Sequence, residues 1–190
     1  MMMRRLLSAL LLAASTPASA DVCDDLWFTR NQIMDRAGYC FRTPLGQSVF
    51  DNSGCIGEQV SLNAQARRQV EDIRARESAL GCVVDTKRRN LDLPDIAIRW
   101  NLRDLPVADE YESGCIGWLE PVTSLHSGRD SASAIVGWIE PGDNVLYGHW
   151  TADNDPWLFV TVWSPDSPRF KSAGWLGLST NEKSCRNWAG

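Results

Sequence analysis

The sequence predicts an α+β protein, with a small disulfide-tied helical domain followed by a small all-β barrel. Three observations carry that prediction. Apolar residues recur at helical spacing between positions 23 and 82 and alternate with polar ones between positions 95 and 188. Six cysteines fall into a block of four (Cys23, Cys40, Cys55, Cys82) and a block of two (Cys115, Cys185). Between the two regimes, residues 85–94 carry Lys87, Arg88 and Arg89 without periodicity and read as a linker. The expected domains are therefore residues 21–84 and 95–190.

Residues 1–20, MMMRRLLSALLLAASTPASA, read as an export signal. Arg4 and Arg5 precede an apolar run from Leu6 to Ala14, and Ala18-Ser19-Ala20 is a small-residue cleavage site. The run is too short to span a bilayer, which needs about 20 apolar residues. Cleavage would leave a chain from Asp21 with 17 basic and 24 acidic side chains, a net charge of −7. Together with a pI near 5.0, that acidity argues against nucleic acid as a partner, because neutralising phosphates takes clustered Lys and Arg. No further segment reads as a membrane span, and the expected location is periplasmic or secreted.

In an oxidising compartment an even cysteine count reads as a disulfide framework. No pair has C-x-x-C spacing, and six cysteines allow 15 connectivities. Pairing within each block gives Cys40–Cys55 as a short clasp, Cys23–Cys82 closing the first block and Cys115–Cys185 closing the second. The short loop is worth about 3 kcal/mol by chain entropy and the long ones somewhat more.

Asp24 or Asp25 can cap a first helix from Leu26 to Ala37, with Gly38 in a left-handed terminating position. Pro44 suits the first turn of a short helix ending at Phe50. Asn63 and Gly81 bracket a third helix whose buried stripe is Ala66, Val70, Ile73 and Leu80. Its arginines, Arg67, Arg68, Arg74 and Arg76, read as a solvated face. Beyond the linker, Ile96-x-Ile98-x-Trp100-x-Leu102, Val136-x-Trp138, Val145-x-Tyr147 and Leu158-x-Val160-x-Val162 alternate as strands do. Pro141-Gly142-Asp143 and Ala152–Pro156 supply turns between them.

The stretch from Leu26 to Phe41, followed by Phe50 and by the helix carrying Ile73 and Glu77, resembles the YARHG domain, an extracellular bacterial module. Its five-residue motif is eroded here. Met34, Asp35 and Ala37 stand where the family has Tyr, Ala and His, and only Arg36 and Gly38 are kept. The resemblance implies an accessory or sensing role, and on physical grounds Arg36 can reach carbonyls or an acidic partner nearby. The stretch from Leu125 to Leu176 resembles a bacterial Src-homology-3-like barrel, through Leu125–Asp130, Ala134–Ile139, Pro141-Gly142-Asp143, Trp157 and Gly174-Trp175-Leu176. Residues 95–122 lie outside that pattern and must add strands or a cover of their own.

His126 and His149 are the only histidines, and neither stands beside a nucleophile in a known motif, so no catalytic residue is expected. Asp153-Asn154-Asp155 lacks the glycine and closing glutamate of a calcium loop, and no metal or other cofactor is expected. Nine tryptophans are many for this length. Trp138, Trp157 and Trp175 occupy positions of barrel core or rim. Tyr147, His149, Trp150 and Trp163 are the candidate binding residues, read as an exposed aromatic groove of the kind that holds extended peptides. The expected function is non-catalytic binding of peptidoglycan, its peptides or an envelope protein. The alternative is an accessory or inhibitor of an envelope hydrolase.

Overall fold

The structure, a computed structural model, describes residues 19–152, 154–167, 169–177 and 182–190. The expected export signal lies outside the described residues except at Ser19 and Ala20. The protein is α+β. Helices α1 (Ser19–Arg36), α2 (Pro44–Phe50), α3 (Ala64–Ala79) and α4 (Ile96–Arg99) precede strands β1 (Ala108–Trp118), β2 (Thr123–His126), β3 (Ile135–Ile139), β4 (Asn144–His149), β5 (Trp157–Trp163), β6 (Phe170–Gly177) and β7 (Cys185–Ala189).

The helix ends follow local chemistry. The Thr43 hydroxyl accepts from Gly46 N–H at the start of α2, and Asn63 Oδ1 accepts from Ala66 N–H at the start of α3. Gly38 (φ 86°) and Gly81 (φ 64°) both end helices in left-handed backbone. Each completes a pair of closing bonds, Gly38 N–H to Asp35 O with Tyr39 N–H to Met34 O, and Gly81 N–H to Ser78 O with Cys82 N–H to Glu77 O. The three disulfides are Cys23–Cys82, Cys40–Cys55 and Cys115–Cys185, the pairing expected from the two blocks.

Two local expectations fail. Helix α1 does not start at a cap on Asp24 or Asp25: it begins at Ser19, and both aspartates lie buried within it. Asp24 pairs with Arg88 and Asp25 with Arg99, partners too far along the chain for a local cap reading to include. The alternation Ile96-x-Ile98-x-Trp100-x-Leu102 is not a strand, because residues 96–99 form α4. Asp95 and Arg99, four residues apart, pair at 2.9 Å across one helical turn, a contact that extended backbone would break.

Residues 85–94 form no helix or strand. Leu91 and Leu93 within them are buried with Trp27, Phe28, Phe41, Leu45 and Phe50 in the core of the helical part. The seven strands form one antiparallel sheet in the order β3-β2-β6-β5-β4-β1-β7. Residues 95–122 do contribute structure of their own, α4 and the long β1. Ile139 of β3 and Cys185 of β7, at opposite ends of that order, share one core with Trp118, Leu125, Val145, Val160 and Val162. The sheet is therefore strongly curled, with these side chains inside.

Its outer face is also covered. Phe159 and Trp175, paired across β5 and β6, point away from that core and pack against Leu26 and Ile33 of α1, Val70 and Ile73 of α3, and Leu102 and Leu105. One apolar layer thus joins the helices to the sheet.

Candidate cleft between helices and sheet

Polar contacts fix the same junction. Thr29 Oγ1 donates to Pro106 O at 3.0 Å, and Trp175 Nε1 donates to Asp104 O at 2.7 Å. Arg36, the arginine kept from the eroded motif, donates through Nη1 to Arg103 O at 3.1 Å and through Nη2 to Leu102 O. Reaching carbonyls was one of its two expected roles, and those carbonyls belong to the chain leaving α4.

Behind this junction lies a buried ionic cluster. The Arg99 guanidinium is fully enclosed and sits between the rings of Phe28 and Phe159. It donates to Asp95 Oδ2 at 2.9 Å and Asp25 Oδ2 at 2.5 Å, and its Nη2 lies 2.7 Å from His149 Nε2. Burial by itself would raise the Asp25 pKa, but the Arg99 charge and the His149 ring overcome it and hold the carboxyl at about 2. A depressed carboxyl stabilises the fold above its unfolded value of 3.8 and loses that contribution as pH falls through about 2. The shift corresponds to about 2 kcal/mol. Acid titration of stability should therefore show a loss between pH 4 and pH 2 that is much reduced in Asp25→Asn; an unaltered acid limb in that variant would place the titrating group elsewhere.

In front of the junction a cleft of about 1140 Å³ opens between the end of α1, α3, the segment 103–107, Arg129 and Trp150. Ile33, Leu62, Ala66, Leu105 and Val107 give it an apolar floor. Five arginines line it (Arg36, Arg68, Arg76, Arg103 and Arg129) against two carboxylates, Asp72 and Asp104. Arg103 pairs with Asp104 and Asp130. Arg129 pairs with Asp155 at 3.0 Å and lies 4.3 Å from the centre of the Trp175 ring. Arg76 reaches across from α3, its guanidinium carbon 5.4 Å from the centre of the Trp150 ring, which is 43% exposed.

The four residues expected to form a groove do not share one surface. Trp150 alone lines the cleft. His149 is buried against Arg99, Asp25 and Phe159, because the last residue of β4 faces the helical layer opposite Ala108. Tyr147 stacks on Trp188 from β7, and burial pushes its hydroxyl up to about 12. Trp163 packs edge-on to Phe170, and its Nε1 donates to Thr161 Oγ1 at 3.0 Å. Of the α3 arginines expected to be a solvated face, Arg67, Arg68 and Arg74 are exposed and Arg76 is half-buried; Arg68 and Arg76 also line the cleft. Their eight-residue spacing, with Asp72 midway, places them on one helix stripe, and that is a sequence signal for the wall they form.

Residues 3–78 match the YARHG domain. Residues 81–190, which include α4 and every strand of the sheet, match a second family, described as a domain of unknown function (DUF4453). The chain belongs to the DUF4453 family. No curated protein and no solved structure matches it. The DUF4453 segment supplies Arg103, Leu105, Val107, Arg129 and Trp150 to the cleft, and the YARHG segment supplies the α1 and α3 walls. The Cys23–Cys82 disulfide joins the YARHG match to the DUF4453 match. Among the described residues no helix is long and apolar enough to cross a membrane, and no cluster of His, Cys, Asp and Glu is arranged to hold a metal.

Proposed function

We propose that this protein is a non-catalytic, exported binding protein of the cell envelope, which holds peptidoglycan or its peptides in the cleft between helices and sheet. The observation that carries the reading is a cleft lined by five arginines, of which Arg68 and Arg76 have no ion pair among the described residues, in a chain whose net charge is −5. An acidic protein that gathers positive charge in one concave, partly apolar site gains local attraction for an anionic ligand. Export is supported by the three disulfides and by the YARHG match, since such bridges persist in oxidising compartments. Both matched segments contribute walls, so the reading makes binding a property of the whole chain.

Co-sedimentation with purified peptidoglycan tests this. The wild-type protein should pellet with the polymer. Trp150→Ala should weaken binding about 30-fold, a loss of about 2 kcal/mol typical of an aromatic hot spot, with its melting temperature unchanged. Trp163→Ala, outside the cleft, should bind as the wild type does. A wild-type protein that stays in the supernatant overturns the proposal.

A further inference from the structure

Resting on that reading, we infer that the cleft recognises an extended acidic peptide through its carboxylates, held by Arg68 and Arg76 on α3. Of the five cleft arginines, three are already engaged: Arg36 with two carbonyls, Arg103 with two aspartates and Arg129 with Asp155. Neither Arg68 nor Arg76 has an ion pair or a side-chain hydrogen bond among the described residues. Asp72, one turn from each, pairs with neither, although that spacing ordinarily permits it. Two guanidinium groups thus face one cleft with their donors uncommitted.

Their placement sets the shape of the ligand. Eight residues along a helix is about 12 Å. Arg76 is held at one end by its position over Trp150, while Arg68 lies exposed at the other. Leu62, Ala66 and Leu105 provide apolar floor. With the two arginine backbones about 12 Å apart along the helix axis, a ligand that bridges their side chains carries two carboxylates separated by a distance of that order, on a backbone of small or apolar side chains. Extended peptide covers that distance in about four residues. Guanidinium forks pair bidentately with carboxylates, which favours a planar acid at each end.

Titration calorimetry with three soluble probes tests the inference on the intact, oxidised protein. The first is a disaccharide–tetrapeptide released from peptidoglycan, with free carboxylates. The second is the same compound with its carboxylates amidated. The third is a synthetic acidic tetrapeptide with carboxylates at both ends. Arg68→Gln and Arg76→Gln should each weaken binding of the first and third probes about tenfold, with unchanged melting temperatures. Amidation of both carboxylates should cost as much as the two substitutions combined, about 100-fold, and the substitutions should add nothing further against the amidated probe. Arg76→Lys, which keeps the charge but not the fork, should fall between. Amidated and free probes binding equally, or both Gln variants binding like the wild type, would overturn the inference. Displacement of the peptide by equimolar inorganic phosphate would also overturn it, by making this a general anion site. Arginine-dependent binding of the third probe but not the first would support the inference and remove peptidoglycan as the ligand. Binding of none would remove both.

Discussion

Replacing Arg99 by alanine is expected to lower the unfolding free energy by about 3–5 kcal/mol, the cost of leaving buried carboxylates without their cation. Asp25 and Asp95 both lie within hydrogen-bond reach of that guanidinium, and each is almost fully enclosed. The side chain also fills the space between Phe28 and Phe159, so truncation adds a packing loss to the electrostatic one. For a chain of this size each kcal/mol moves the melting temperature by about 2–4 °C, so a fall of about 10 °C is expected. Urea denaturation measures it directly. A triple variant, Arg99→Met with Asp25→Asn and Asp95→Asn, should recover much of the loss, because no uncompensated charge then remains inside. An Arg99→Ala protein within 1 kcal/mol of the wild type would mean that water reaches the cluster.

Trp175→Ala should cost a similar amount, about 3–5 kcal/mol, through a different mechanism. The ring has no exposure, packs edge-on to Phe159 with centroids 5.5 Å apart, and lies beneath Arg129. Removing it opens a void in the layer that joins helices to sheet. Trp175→Phe retains most of the volume but leaves Asp104 O without its donor, and should cost about 1–2 kcal/mol. Limited proteolysis adds a readout specific to the junction. No disulfide spans residues 83–114, so one cut there yields two fragments on a non-reducing gel. Trp175→Ala should be cut there faster than the wild type; equal rates would show that the ring stabilises the sheet alone.

Arg99 and Trp175 also mark how far the sequence could be read. Features written in neighbouring residues were legible: the Asn63 cap, the terminating Gly38 and Gly81, and the alternation through Leu158, Val160 and Val162. The disulfide pairing followed from the clustering of cysteines along the chain. Features made by residues distant in sequence were not. Arg99 meets Asp25 and His149 across separations of 74 and 50 residues, so Asp25 looked like a cap and His149 like part of an exposed groove. Strands β5 and β6 are buried on both faces, and a period of two reports only one of them; Phe159 and Trp175 serve the other. The cleft combines walls from both halves of the chain, so the Arg76–Trp150 contact had no local trace. Trp150 was identified correctly as exposed, but its neighbours in space are arginines of α3 instead of the other aromatics.

The disulfide connectivity also sets how the molecule answers to force. Cys23–Cys82 and Cys115–Cys185 each carry tension through sulfur, across sequence separations of 59 and 70 residues. Pulled from its two ends, the chain cannot pay out the segments inside those rings. Between the two rings, it is the apolar layer joining helices to sheet, which no covalent bridge crosses, that yields first. The slack then released comes chiefly from the roughly 30 residues between Cys82 and Cys115, about 100 Å of extended chain. Under load the protein is two closed links on a short tether, and the arginine-lined cleft, whose walls belong to both links, is the part that the first yielding event takes apart.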